Sequence, residues 1–232
     1  MVDKRTEANS SDEKSWDSYW IKQKKSENNL YSFIAQFYRK FIIKRTLNYF
    51  IKKYFKKGSE IIHAGCGSGQ VDKDITKTFS ITALDISSNA LKIYNKENKG
   101  RCKIIKASIF KIPAKNSSFD GIYNLGVMEH FTEKDIKKIL LEFNRVLKPK
   151  GKVIIFWPPE FGSSVIALKI IHFVLNNILK KDIELHPSEI SRIKSKKQAI
   201  RIFNNAGFRI NKYYFGIKDF FTQVIIVASK KV

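Results

Sequence analysis

From Gly58 to Gln70 the chain reads Gly-Ser-Glu-Ile-Ile-His-Ala-Gly-Cys-Gly-Ser-Gly-Gln, an apolar doublet that breaks into three glycines at alternate positions. The apolar part has the character of a buried first strand in a parallel sheet. Gly65, Gly67 and Gly69 then permit a sharp turn and a close approach of backbone to a ligand, both of which a Cβ would obstruct. A helix is expected to start at Val71 or Asp72. Its unpaired N–H groups would face back toward the loop and favour a polar or anionic group there.

Asp85 stands sixteen residues after Gly69, at the carboxyl end of a second apolar run, Ile81-Thr82-Ala83-Leu84. An acidic side chain in that place suits a ribose diol. The spacing is Gly-x-Gly-x-Gly and not the Gly-x-Gly-x-x-Gly of dinucleotide-binding units, which argues against a dinucleotide-dependent oxidoreductase. Taken together, strand, glycine loop, second strand and Asp resemble the class I S-adenosylmethionine-dependent methyltransferases. The resemblance has motif detail from Glu60 to Trp157 and is looser over the C-terminal hairpin. A glycine-rich turn in a ligand-free α/β domain is the plain alternative.

The resemblance implies an α/β, Rossmann-like, doubly wound sheet of seven strands, mostly parallel, with an antiparallel C-terminal hairpin. It implies S-adenosylmethionine as cofactor, held by Gly65, Cys66, Gly67 and Gly69 in the loop and by Asp85 and Ile86 after the second strand. Ser108 and Ile109 after the third strand, and Asn124 and Leu125 at the end of the fourth, would complete that set. Two positions depart from the family's habit. His63 stands where an acidic side chain is usual, and Ser108 replaces the acidic acceptor for the adenine amino group. Phe119 to His130 resembles the fourth strand and its exit toward the reacting methyl group. His130 is there the candidate general base, the alternative being a ring that only lines the site.

Further along, Asn89 to Asn98 has helical character and Lys103 to Ala107 reads as the third strand. Thr132 is a candidate N-cap, with Asp135 as its capping-box partner, for a helix to Leu147 that Lys148-Pro149-Lys150-Gly151 stops. Gly151 to Trp157 is a fifth buried strand. Gln198 to Ala206 is a last helix ended by Gly207, and Phe208 to Tyr214 with Phe221 to Ala228 forms the hairpin.

Before the glycine loop, apolar and aromatic residues recur at helical spacing from Leu30 to Lys57 between many lysines, as one long or two shorter helices with Gly58 as C-cap. Such a stripe is ordinary core before it is a nucleic-acid surface. Residues 1–28 are expected to be a flexible segment, polar at first and then carrying Trp16, Tyr19 and Trp20. The resemblance suggests a lid over the cofactor for these rings; packing on the outside of the domain is the alternative. Residues 29–232 are expected to form a single methyltransferase domain.

Residues 158–197 have no place in the minimal sheet and are expected to form a helical cap insertion. From Ser163 to Leu179 they are densely apolar, yet Lys169, His172, Asn176 and Asn177 interrupt them. That composition fits an interfacial or substrate-covering helix better than a membrane span. Packing as ordinary core is the alternative.

The 232 residues carry 44 Lys and Arg against 21 Asp and Glu, a formal charge of +23. Such a charge attracts nucleic acid or an acidic membrane surface, unless it only reflects a composition rich in Lys, Ile and Asn. The N-terminus lacks the apolar core of a secretion signal, and the two cysteines, Cys66 and Cys102, have no metal-like spacing. No metal is expected, and the location expected is cytoplasmic, with peripheral membrane attachment.

The function expected is methyl transfer to a small, lipophilic or ring-containing metabolite. The alternatives are a nucleic-acid (RNA) methyltransferase and a non-catalytic S-adenosylmethionine-binding module. Asn124-Leu125-Gly126-Val127 is not the Asn/Asp-Pro-Pro-aromatic run of base-modifying amino methyltransferases, and Pro158-Pro159 follows the fifth strand instead.

Overall fold

The computed structural model describes residues 13–21, 37–162 and 189–231. Backbone contacts divide the chain into two compact units, Met1–Ala114 and Lys115–Val232. The expected cap helix at 163–179 and the start of the Leu30–Lys57 stripe lie outside the described residues.

In the first unit, residues 13–21 form helix α1. A π-helical turn, Tyr38–Ile43, runs without a break into α2, Lys44–Tyr54, so the described part of the aromatic stripe is one continuous helix. Leu47, Phe50 and Ile51 are buried while Lys52 and Lys53 stay outside, so this part of the stripe is ordinary core, whereas Phe37 and Phe41 are more than half exposed. Gly58 does not cap this helix. Phe55 turns extended to bury its ring, ending the helix at Tyr54, and Gly58 (φ 81°) serves a later turn by donating its N–H to Thr78 O at 3.0 Å.

Strand β1, Glu60–Ala64, pairs in parallel with β2, Ser80–Asp85, which pairs in parallel with β3, Lys103–Lys106. Ile61 to Ala64 are all buried, as a strand covered on both faces requires. Between β2 and β3 lies α3, Ser88–Glu97, whose N-cap Ser87 accepts from Ala90 N at 3.1 Å. The helix expected after the glycine loop is absent. Gln70 to Phe79 makes turns with one 3-10 turn at Ile75–Lys77. Within that interval the Asp72 side chain is held in the interior.

In the second unit β4, Phe119–Leu125, and β5, Leu147–Trp157, are parallel and joined through α4, Glu133–Val146. Thr132 caps α4 by accepting from Asp135 N at 3.3 Å and donates its hydroxyl proton to Asp135 Oδ2 at 2.6 Å. β5 starts directly at Leu147, four residues before Gly151, because Leu147 pairs with Phe119 across an irregular register. Val153 to Trp157 are almost wholly buried, each side chain contributing about 2 kcal/mol.

Helix α5, Lys196–Asn204, with Ser195 as N-cap, precedes the hairpin of β6, Phe208–Tyr214, and β7, Val224–Lys230. β7 is antiparallel to β5. The strand order is β3-β2-β1-β4-β5-β7-β6, the seven-stranded, mostly parallel sheet with an antiparallel ending that was expected. Among the described residues no helix is long and apolar enough to cross a membrane.

Candidate active site

In the first unit the glycine loop and Asp85 are brought together. Gly65, Gly67 and Gly69 all have positive φ, at 68°, 52° and 64°, which explains glycine at each. Gly65 N and Cys66 N both donate to Leu84 O, at 2.8 and 3.0 Å, and hang the loop on the end of β2. Asp85 then takes Gly67 N on Oδ2 at 2.8 Å and Ser87 N on Oδ1 at 2.9 Å. Its carboxyl is buried, and burial raises it above the usual carboxylate range while these two amides hold it down. Each oxygen keeps a lone pair for a further donor.

The loop is tightly backed. A Cβ on Gly69 would lie 2.2 Å from Tyr94 Cδ2, and one on Gly67 would lie 2.7 Å from Trp20 Cζ2. Trp20 therefore stands against the glycine loop. Its helix α1 is tied on by Asp17, whose carboxylate accepts from the Ser87 hydroxyl and from Asn89 N at 3.2 Å. Burial works against the Asp17 charge, but these hydrogen bonds outweigh it and the carboxyl lies below its ordinary range. Backbone open at alternate glycines, a carboxylate with spare acceptor capacity and an aromatic wall fit a nucleoside-bearing cofactor.

Ile86 follows Asp85 half-buried. Ala107 N donates to Asp85 O at 3.0 Å, bringing Ser108 and Ile109 to the end of β2. Ile109 is buried, and Ser108 Oγ accepts from Phe110 N at 3.3 Å, so the serine already serves its own turn. Burial pushes the Cys66 thiol well up, with Asp85 and Asp72 adding to the effect, which makes it an inert part of the wall.

His63 has found a different acid. Its Nδ1 lies 2.6 Å from Asp72 Oδ2, and the Tyr94 hydroxyl donates to the same oxygen at 2.6 Å. All three side chains are buried. The carboxylate missing from position 63 is thus supplied to this histidine from position 72.

In the second unit Asn124 is buried in β4 and Leu125 half-buried at its end. Gly126 takes φ 66° and leads into a 3-10 turn, Met128–His130. His130 is half-buried, its N–H donating to Val127 O at 3.1 Å. Glu129, beside it, is 6% exposed, and its Oε2 has no hydrogen-bond partner among the described residues. Burial pushes this carboxyl up to about 8; Glu189 adds to the rise and Arg192 opposes it. The Glu129 carbonyl accepts from Ile190 N at 2.6 Å and Ser191 N at 2.9 Å. A buried acid in an apolar turn was readable only as part of Met128-Glu129-His130. Among the described residues no group of His, Cys, Asp and Glu could hold a metal ion.

The family described as "Methyltransferase domain" matches residues 62–155. An uncharacterised protein of Methanocaldococcus jannaschii is 30% identical over 193 residues, covering 82% of this chain and 74% of that one. The ubiquinone/menaquinone biosynthesis C-methyltransferase of Campylobacter jejuni is 29% identical over 194 residues, covering 72% of this chain and 79% of its own. Among solved structures, magnesium protoporphyrin IX methyltransferase from Synechocystis with bound S-adenosylhomocysteine superposes with a TM-score of 0.71. It covers 96% of this chain and 99% of that one at 12% identity, a likeness of fold. The domain match and the C-methyltransferase relative name one enzyme class, the solved structure has its fold, and this chain belongs to the class I S-adenosylmethionine-dependent methyltransferases.

Proposed function

We propose that this methyltransferase acts on a small, lipophilic or ring-containing metabolite. The observation that carries the reading is the end of β4, where Leu125-Gly126-Val127-Met128 leads to a buried Glu129 carboxyl, whose Oε2 meets no hydrogen-bond partner among the described residues, and to His130. An apolar turn with one or two polar groups is the chemistry of a small-molecule site. The quinone and protoporphyrin methyltransferases among its likenesses support the same class of acceptor.

S-adenosylmethionine supplies a methyl group already activated on a sulfonium. The protein's share is to hold, align and exclude water. In this reading Gly65, Cys66, Gly67 and Gly69 offer backbone to the donor, and Asp85 takes the ribose hydroxyls beside Ile86. Ser108, Ile109, Asn124 and Leu125 line the remainder. The helix with Asp17 and Trp20 closes on the loop as a lid. His130 removes the proton when the acceptor is a hydroxyl or phenol, its imidazole being suited to that near neutral pH.

The formal charge of +23 favours a second reading, methylation of RNA. Incubating the purified protein and labelled donor with separate lipid, metabolite and RNA extracts decides between the two. Label in the lipid or metabolite fraction is expected. Label confined to RNA would overturn the proposal, and no label in any fraction would favour a non-catalytic binding module.

A further inference from the structure

The turn between β6 and β7, Phe215 to Gln223, presents apolar side chains outward. Ile217 is 74% exposed, Phe220 58% and Phe221 45%, and Phe161 beside them is 46% exposed. The rings are ordered among themselves. Phe161 meets Phe215 edge-on at 5.1 Å, and Phe215 meets Phe221 edge-on at 5.3 Å.

This exposure is not slack in the chain. Phe220 and Phe221 both sit in the left-handed region, at φ 57° and 58°, where bulky side chains are outliers and each costs free energy. The turn is clamped from below. Asp219 is fully buried, and its Oδ2 accepts from Thr222 Oγ1 at 3.0 Å and from Gln223 N at 2.6 Å. Lys218 N donates to the Tyr214 hydroxyl at 2.9 Å, and Phe221 N to Gly216 O at 3.0 Å. Glycine at both positions would relieve the strain and remove the exposed rings, so the left-handed backbone alone does not call for rings here.

We propose that this turn docks the protein on an anionic lipid surface, with Ile217, Phe220 and Phe221 entering the interfacial layer of the bilayer. Apolar rings at one rigid turn match a surface whose outer layer accepts aromatic side chains. Lys218 stands among them, and the chain's formal charge of +23 is complementary to acidic headgroups. The same charge opposes a second copy, which would bring two strongly cationic chains together. The inference stands apart from the identity of the methyl acceptor.

The test uses the full chain and vesicles of phosphatidylcholine with about 30 mol% phosphatidylglycerol, spun down at low and at high salt. Wild type should sediment at low salt and be partly released at high salt. Phe220→Gly/Phe221→Gly should bind roughly tenfold or more weakly. Its melting temperature should match or exceed wild type and its donor affinity should be unchanged. Ile217→Ser, at a residue of ordinary backbone conformation, should weaken binding without any change in folding. Wild type left in the supernatant at low salt overturns the proposal, as does a glycine variant that binds like wild type. A wild-type dimer dispersed by the glycine pair, or RNA binding lost with it while vesicles are ignored, would assign the turn to another partner.

Discussion

His63 Nδ1 and Asp72 Oδ2 meet at 2.6 Å out of contact with solvent, and Tyr94, which donates to the same oxygen, is the ring that blocks any Cβ on Gly69. One carboxylate thus joins the first strand, the turn after the glycine loop and α3. Asp72→Ala removes an acceptor shared by two buried polar groups, at a cost of about 3 kcal/mol. Urea denaturation measures it, and a loss below about 1 kcal/mol would show that the network contributes little.

Asp85 is expected to carry donor affinity. Asp85→Ala should weaken S-adenosylmethionine binding roughly ten- to a hundredfold, the worth of charge-assisted hydrogen bonds of about 1.5–3 kcal/mol. Calorimetry is the measurement, and unchanged binding would remove Asp85 from the site. The variant also frees Gly67 N, so a melt is needed to separate loop disorder from lost contacts.

Trp20 and Asp17 test the lid. Trp20→Ala and Asp17→Ala should each speed donor release by roughly tenfold while leaving the fold intact. Stopped-flow exchange of bound donor gives the rate. Equal rates in wild type and both variants would make the helix a permanent wall.

Glu129 has a pH signature. Its carboxyl is pushed from 4.5 to about 8, chiefly by burial. Inside that window the folded chain keeps a proton that the unfolded chain has released. Stability therefore falls as pH rises through it, by up to about 1.4 kcal/mol per pH unit. Glu129→Gln abolishes this slope, so its melting temperature should gain steadily on wild type from pH 5 toward pH 8, about the range of the window. Parallel profiles would show that the group ionises normally.

His130→Ala should lower turnover by roughly a hundredfold with a hydroxyl or phenol acceptor and leave donor affinity alone. A near-normal rate would reduce the ring to a lining role.

The sheet was legible because its strands are short apolar runs bounded by turn residues, and Val153 to Trp157 could hardly be anything other than a central strand. Asp85 was legible through its distance from the loop. The missing helix after Gly69 was not, since the interval Gln70–Phe79 has helix-compatible residues, and what keeps Asp72 in the interior is a partner nine positions earlier. His63 looked like a loss of charge because sequence shows a substitution at one position and hides its compensation at another. Glu129 escaped notice because nothing local marks a carboxyl as buried. Its neighbours include Ile190 and Ser191, which bond its backbone carbonyl from about sixty residues away in sequence.

The place of β7 has a consequence for how the chain is made. β6 leaves the ribosome first, yet its partner in the sheet is β7, which lies between it and β5. Until Val224–Lys230 is synthesised, β6 lacks the strand it pairs with and β5 shows an open edge of unpaired backbone N–H and C=O groups. A nascent chain stalled between Tyr214 and Val224 would therefore carry two unsatisfied strands, the kind of exposed edge that chaperones cover.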